Sequence, residues 1–238
     1  VKNYIKKEEV ELHYIDSNPQ DDKSIPLLIC PGLSESAEDY MEVMSALLPR
    51  RCITFSHRGR GKSNSPDHGY SLEHHVRDIE TFVKQFCLKN FYLMGYSRGV
   101  SYALSYAINN ADCLKGLILA EYPAEHKEMP KGWAKEYLES YWGDKLGSEI
   151  MKPHVVKGIE EDSKYVNFRH ELHRINCPTL IMRGVLDESL LSEEQLNVYV
   201  EKLNDGMAEV FEKSGHTLKE SETEKFITTV RLFLKNID

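Results

Sequence analysis

Several things are missing from this 238-residue sequence, and each absence removes a class of protein. No apolar run approaches the ~20 residues needed to span a bilayer. The five cysteines (Cys30, Cys52, Cys87, Cys113 and Cys177) are scattered, odd in number and never arranged as C-x-x-C. That usage speaks against a disulfide framework or a zinc site and fits reduced thiols in a cytosolic protein. There is no basic excess. Lys+Arg 30 against Asp+Glu 38 leaves a net charge of −8, which argues against nucleic acid or an anionic membrane as the main partner. The opening Val1-Lys2-Asn3-Tyr4 shows no basic-then-apolar leader, so the expected location is cytoplasmic. Internal repeats and low-complexity tracts are absent as well.

What is present is a chain long enough to bury a sizeable core without staples, read as one domain carrying a small insertion. Short apolar runs alternate with amphipathic stretches through most of its length. A polar, β-rich opening from Tyr4 to Asp16 reads as a hairpin turning near Glu8-Glu9. Buried strands are expected at Pro26–Cys30, Cys52–Phe55, Phe91–Met94, Leu114–Ala120, Pro178–Met182 and Ala208–Phe211. Helical spacing marks Glu38–Leu48, Ser71–Phe86, Ser97–Asn109, Ser192–Leu203 and Glu222–Asn236. Strands alternating with helices imply a mostly parallel, about eight-stranded α/β sheet with helices on both faces. The rhythm breaks between Tyr122 and Asn176, where no strand is evident. Residues 122–176 are therefore expected to form a helical lid inserted into a core built from 1–121 and 177–238.

The sharpest chemical signal is Gly95-Tyr96-Ser97-Arg98-Gly99, a G-x-S-x-G between a buried strand and a helix. A serine in a tight strand-to-helix turn needs small neighbours because the chain approaches itself closely there. The turn lifts Ser97 to the carboxyl edge of the sheet, at a helix N-terminus that favours developing negative charge. A serine hydroxyl is a weak nucleophile and requires a base, which in turn requires an orienting acid. In the order Ser, acid, His, the loop after Pro178–Met182 offers Asp187 and the loop after Ala208–Phe211 offers His216. Glu121, directly after the Leu114–Ala120 strand, could replace Asp187 as the acid. The late-loop position of Gly184-x-x-Asp187 fits better, which leaves Glu121 as a lid-hinge ion pair with Arg98. An oxyanion hole is expected from the backbone N–H groups of Leu33 and Arg98.

These residues resemble the α/β-hydrolase family, serine-nucleophile branch, over essentially the whole chain except the insertion. Arg58-Gly59-Arg60-Gly61-Lys62-Ser63 is similar to that family's R-G-x-G-x-S turn, with Ser56 where an Asp is common. Pro31 stands where many members carry His, and Arg98 where a smaller or apolar residue is common. The resemblance implies a lid after the sixth strand and a cofactor-free, metal-free serine esterase acting on a small-molecule acyl substrate. It leaves the oligomeric state open. The same triad also serves lyases, C–C hydrolases and perhydrolases, and a catalytically weak ligand sensor with this fold is a further alternative. A serine nucleophile disfavours the dehalogenase branch, which needs a carboxylate there.

Other patterns carry less. Gly61-Lys62-Ser63 imitates the end of a P-loop, but Ser56 stands where its first glycine is required. His170-Glu171-Leu172-His173 is one residue short of H-E-x-x-H. His13, His57, His68, His126 and His154 lack partner motifs and are expected to be solvated, while His74 and His75 read as surface or second-layer residues. In the insertion, Trp133, Tyr137, Tyr141 and Trp142 recur near helical spacing. One helix turning these aromatics inward would give an apolar acyl or alcohol pocket, with Tyr96 and Glu121 at its edge.

Overall fold

The computed structural model describes residues 3–7, 9–21 and 23–238. Eight strands form one sheet: β1 (Tyr4–Lys7), β2 (Val10–Asp16), β3 (Leu27–Cys30), β4 (Cys52–Phe55), β5 (Phe91–Tyr96), β6 (Leu114–Ala120), β7 (Thr179–Gly184) and β8 (Gly206–Phe211). Their spatial order is β1-β2-β4-β3-β5-β6-β7-β8. The β1–β2 and β2–β4 pairs are antiparallel and every other pair is parallel. Lys7 pairs with Val10, so the opening hairpin turns where expected, although Glu8 lies outside the described residues.

The parallel strands are apolar because both faces are covered. All four residues of β3 and of β4 and all six of β5 are buried. On one face lie α1 (Met41–Ala46) and the long C-terminal helix (Thr223–Ile237), packed on Leu27, Ile29, Tyr92, Met94 and Ile118. On the other face lie α2 (Leu72–Gln85) and α3 (Gly99–Asn109), packed on Leu28, Ile53, Leu93 and Leu117. Of the four apolar residues expected on one side of α2, Ile79 and Phe82 are fully buried and Val83 and Phe86 half-buried. Burying a side chain of that size contributes ~1.5–3 kcal/mol. The stretch expected as a helix over Glu38–Leu48 divides into a 3₁₀ turn, Ala37–Tyr40, and the shorter α1. Tyr40, Val43, Met44 and Leu47 face inward as the spacing requires, whereas Leu48 is 52% exposed.

Between β6 and β7 the chain leaves the sheet and forms the helical insertion, with α4 (Trp133–Glu139), α5 (Gly147–Ile150) and α6 (Pro153–Asp162). It does contain strands. Glu125–His126 pairs with Val166–Asn167 at its base, and Tyr141–Trp142 pairs with Lys145–Leu146 at its outer end. These two-residue ladders carry no periodicity for the sequence to display. A small core of Tyr70, Tyr137, Met151, Val155, Val156 and Ile159 fixes the insertion to the sheet domain. Beyond β7, α7 (Glu193–Lys202) starts at Ser192, whose side chain accepts from the Gln195 N–H while the Gln195 side chain returns to Ser192, as a capping box.

Candidate active site

The turn between β5 and α3 has the geometry its glycines predict. Ser97 takes φ +50°, a left-handed conformation that costs a non-glycine residue ~1–3 kcal/mol. Its N–H donates to the Ala120 carbonyl at 2.8 Å, which ties the turn to the end of β6. A Cβ on Gly95 would lie 2.8 Å from the Gly99 carbonyl oxygen, and one on Gly99 would overlap the carbonyl oxygens of Cys30 and Pro31. Glycines on both sides of Ser97 therefore let three backbone segments meet beneath the hydroxyl.

His216 follows β8, as expected, and its loop is pinned to the same turn. The Tyr96 hydroxyl donates to the His216 carbonyl at 2.7 Å and accepts from the Leu218 N–H at 2.9 Å. The carboxylate that reaches the His216 ring is Glu121. Its Oε2 lies 3.5 Å from Nδ1, at the outer limit of a hydrogen bond, a separation of the kind that shortens when substrate brings charge onto the imidazole. Asp187 does not take that place: its side chain is exposed, and no hydrogen bond joins it to His216. Glu121 has no exposed surface and sits at φ +60°. Its carboxylate accepts from the Gly184 N–H (2.6 Å), the Ser189 hydroxyl (3.0 Å) and the Leu190 N–H (3.1 Å). Three donors and the imidazole fix both oxygens. Of the three non-glycine residues with positive φ among the described residues, two are Ser97 and Glu121. The expected Glu121–Arg98 ion pair is absent, since Glu121 is committed to the β7 loop and His216.

On the opposite side, the loop after β3 is held by charged groups. Glu35 accepts from the Gly32 N–H and the Tyr40 hydroxyl, both at 2.6 Å, and pairs with Lys219 at 3.0 Å. Burial disfavours the Lys219 ammonium, but Glu35 and Glu220 outweigh it and hold its pKa above the usual lysine range. Arg60 Nε donates to the Leu33 carbonyl at 2.9 Å. The Leu33 and Arg98 N–H groups donate to no other protein group among the described residues, and both residues line the same cavity as Ser97 and His216. That leaves the amides of two residues lining this cavity uncommitted.

This cavity measures about 600 Å³. Its walls are mainly apolar, from Leu33, Tyr96, Tyr122, Met129, Trp142 and Leu190. Of the aromatic residues expected to line it, Tyr96 and Trp142 do. Trp133, Tyr137 and Tyr141 do not. Helix α4 ends at Glu139, so Tyr141 and Trp142 fall on the outer ladder, 70% and 46% exposed. Tyr137 is buried in the insertion's own core, with its hydroxyl donating to Ser34 at 2.7 Å. Glu121 lies behind the wall, under His216. Met129, Tyr122 and Leu190 were not legible as pocket residues because they belong to irregular segments. A second cavity, about 670 Å³, is lined by Lys7, Arg58, His68, His74, Arg77 and Asp162 among others. It holds no serine, threonine or cysteine, and Arg58 there is already paired with Asp78. Among the described residues no group of three or more His, Cys, Asp or Glu side chains is placed to hold a metal ion.

Three of the histidines expected to be solvated are buried: His13, His57 and His126. His68 and His154 are exposed. His75, expected at the surface or in a second layer, is fully buried, stacked on Tyr102 with ring centroids 4.3 Å apart. Burial, with Arg60 next in importance, pushes His57 down to about 3. The same two causes lower His75 well below the usual histidine value. Burial, helped by Arg98, brings His126 to about 3. These rings pack as neutral aromatics, which lone histidines in a sequence do not announce.

A family model described as alpha/beta hydrolase fold matches residues 25–140. Haloalkane dehalogenase 2 of Mycobacterium tuberculosis is 29% identical over 123 residues, a match covering 50% of this chain and 42% of the relative's length. Among solved structures, an esterase from Exiguobacterium antarcticum superposes with a TM-score of 0.80 at 22% identity, covering 99% of this chain and 100% of the other. An enol-lactonase from Burkholderia xenovorans gives 0.83 at 17% identity, covering 98% and 99%.

Proposed function

The chain is an α/β-hydrolase-fold protein, and from that premise we propose that it is a serine hydrolase cleaving a carboxylic ester or related small acyl compound through an acyl-enzyme. The observation that carries this reading is the joint placement of a strained Ser97 and of His216 on one cavity, with the His216 Nδ1 facing a fully buried Glu121. The acid of the triad is then Glu121, in place of the Asp187 expected from chain order.

In this mechanism Ser97 Oγ attacks the substrate carbonyl carbon while His216 Nε2 takes the hydroxyl proton. Glu121 holds Nδ1–H and stabilises the imidazolium. The carbonyl oxygen, now negative, is met by the Leu33 and Arg98 N–H groups, of which each is worth ~3 kcal/mol of barrier. Collapse of the tetrahedral species expels the alcohol, protonated by His216, and leaves an acyl-Ser97 ester. Water then attacks that ester with His216 as base, and the acid product leaves. Apolar walls suit a short acyl or alcohol group. An esterase and an enol-lactonase share the fold, which keeps ester and lactone carbonyls first among substrates to try.

The test is hydrolysis of p-nitrophenyl esters of graded acyl length. Turnover that disappears in Ser97→Ala and His216→Ala supports the reading, and full activity in Ser97→Ala rejects it. The cytoplasmic location belongs to the same proposal. It is supported by the free state of all five cysteines, and no helix among the described residues is long and apolar enough to cross a membrane.

A further inference from the structure

Arg98, immediately after the nucleophile, is only 3% exposed, yet among the described residues no carboxylate lies within ion-pair distance of its guanidinium. Its partners are all neutral. One terminal nitrogen donates to the Ser163 hydroxyl at 2.8 Å and meets His126 Nε2 at 3.1 Å. The surrounding bonds set the tautomer of His126. Ser101 Oγ donates to the Arg98 carbonyl and so accepts from His126 Nδ1–H, leaving Nε2 as the acceptor for Arg98. The other terminal nitrogen reaches the Met129 sulfur, at 3.9 Å, a weak acceptor, and the neutral Tyr122 hydroxyl lies close enough to the guanidinium to feel its charge. Nε is buried with no partner at all.

A buried guanidinium is ordinarily paired, because an uncompensated charge away from water is costly. The carboxylates around this cavity do not serve it. Glu35 pairs with Lys219, Glu121 is held by its three donors and faces His216, and Glu128, Glu188 and Glu220 stand exposed on the rim, where solvent screens them. Both Arg98 and Met129 line the cavity beside Ser97. The arrangement is a half-filled anion site: a fixed fork of donors, one arm anchored on the insertion, one arm resting on a displaceable thioether.

Resting on the hydrolase reading above, we propose that the substrate carries a second carboxylate, which displaces Met129 and pairs with Arg98. The substrate class is then the half-ester of a short dicarboxylic acid, or an acyl compound of similar charge. The planar fork of an arginine matches a carboxylate with two parallel hydrogen bonds, a geometry a lysine does not reproduce.

The test compares kcat/KM for monoethyl adipate and ethyl hexanoate, which share the same acyl length and differ in one terminal carboxylate. The wild-type protein favours the half-ester, and the ratio of the two values falls about tenfold or more in Arg98→Met, with an intermediate fall in Arg98→Lys. Because the Arg98 amide belongs to the oxyanion hole, the ratio is read and not the absolute rate. A ratio that favours the neutral ester in the wild type, or that is unmoved in both variants, overturns the proposal while leaving the hydrolase reading intact. Calorimetric binding of the two esters to Ser97→Ala gives an answer independent of turnover and of how Arg98→Met folds. Selective binding of monoethyl adipate there supports the anion site even if neither ester is hydrolysed by the wild type, and equal or absent binding of the two overturns it.

Discussion

Replacing Glu121 by glutamine separates the two carboxylates between which sequence and structure disagree. The carboxylate accepts four contacts, two on each oxygen: Gly184 N–H and Ser189 hydroxyl on Oε1, Leu190 N–H and His216 Nδ1 on Oε2. Glutamine keeps one oxygen and turns the other into an NH₂ donor, so one of these pairs must face donor against donor. If the amide oxygen stays with Gly184 and Ser189, His216 Nδ1 loses its acceptor and the ring is no longer held with Nε2 free to take a proton. Removing such an orienting group has cost on the order of 10⁴ in kcat in a serine protease, and about 10³–10⁴ is expected here, or ~4–5.5 kcal/mol of barrier. The Leu190 N–H would also be left without its acceptor, costing ~1–3 kcal/mol of stability. Asp187→Asn changes an exposed side chain and should move stability by less than ~0.5 kcal/mol, with kcat/KM within about threefold. The assay is p-nitrophenyl ester turnover with urea unfolding of each variant alongside. A dead Asp187→Asn beside an active Glu121→Gln would refute the assignment of the acid.

Two further outcomes follow from the same structure. His57 and His126 are held at about 3 and His75 well below its usual value, against ~6.5 when unfolded, so below pH ~6.5 the unfolded chain binds protons that the fold refuses. Stability is therefore complete above pH 6.5 and is lost as the pH falls through that value, by ~1.4 kcal/mol per unit for each ring, or ~4 kcal/mol for the three between pH 7.5 and 5.5. Urea unfolding at those two pH values measures it, and an unchanged midpoint would mean the rings are charged in the fold. Ser97→Gly removes a left-handed side chain, so it should be about 1 kcal/mol more stable than Ser97→Ala while equally inactive, and equal thermal midpoints would show that the turn stores no strain.

The parallel strands were readable because each is a short apolar run closed by proline, glycine or charge. Cys52–Phe55 and Leu114–Ala120 match to the residue, and the others differ by one or two positions at their ends. The Ser97 turn was readable for the same local reason, a glycine pair flanking a serine between a strand and a helix. The carboxylate beside His216 was not, because its position depends on which strands are neighbours. β6 and β7 lie side by side, with Ala120 level with Met182, so a carboxylate following either strand can reach the space beneath His216. Glu121 bends into it from a left-handed backbone, and no sequence pattern marks that bend. Tyr141 failed for a different reason. The spacing of Trp133, Tyr137 and Tyr141 continues a helix that Ser140 ends and Gly143, at φ +65°, turns back. Arg98 was visible as an oddity, but only its neutral surroundings in three dimensions give the charge a meaning.

The central claim is that Ser97 is an activated nucleophile in an assembled site. Its most direct measurement is fluorophosphonate labelling of the intact protein, with the modified residue located by mass spectrometry. One label is expected, on Ser97, formed much more slowly in His216→Ala and in Glu121→Gln but at the wild-type rate in Asp187→Asn. No label on Ser97, or labelling that is indifferent to His216, would contradict it.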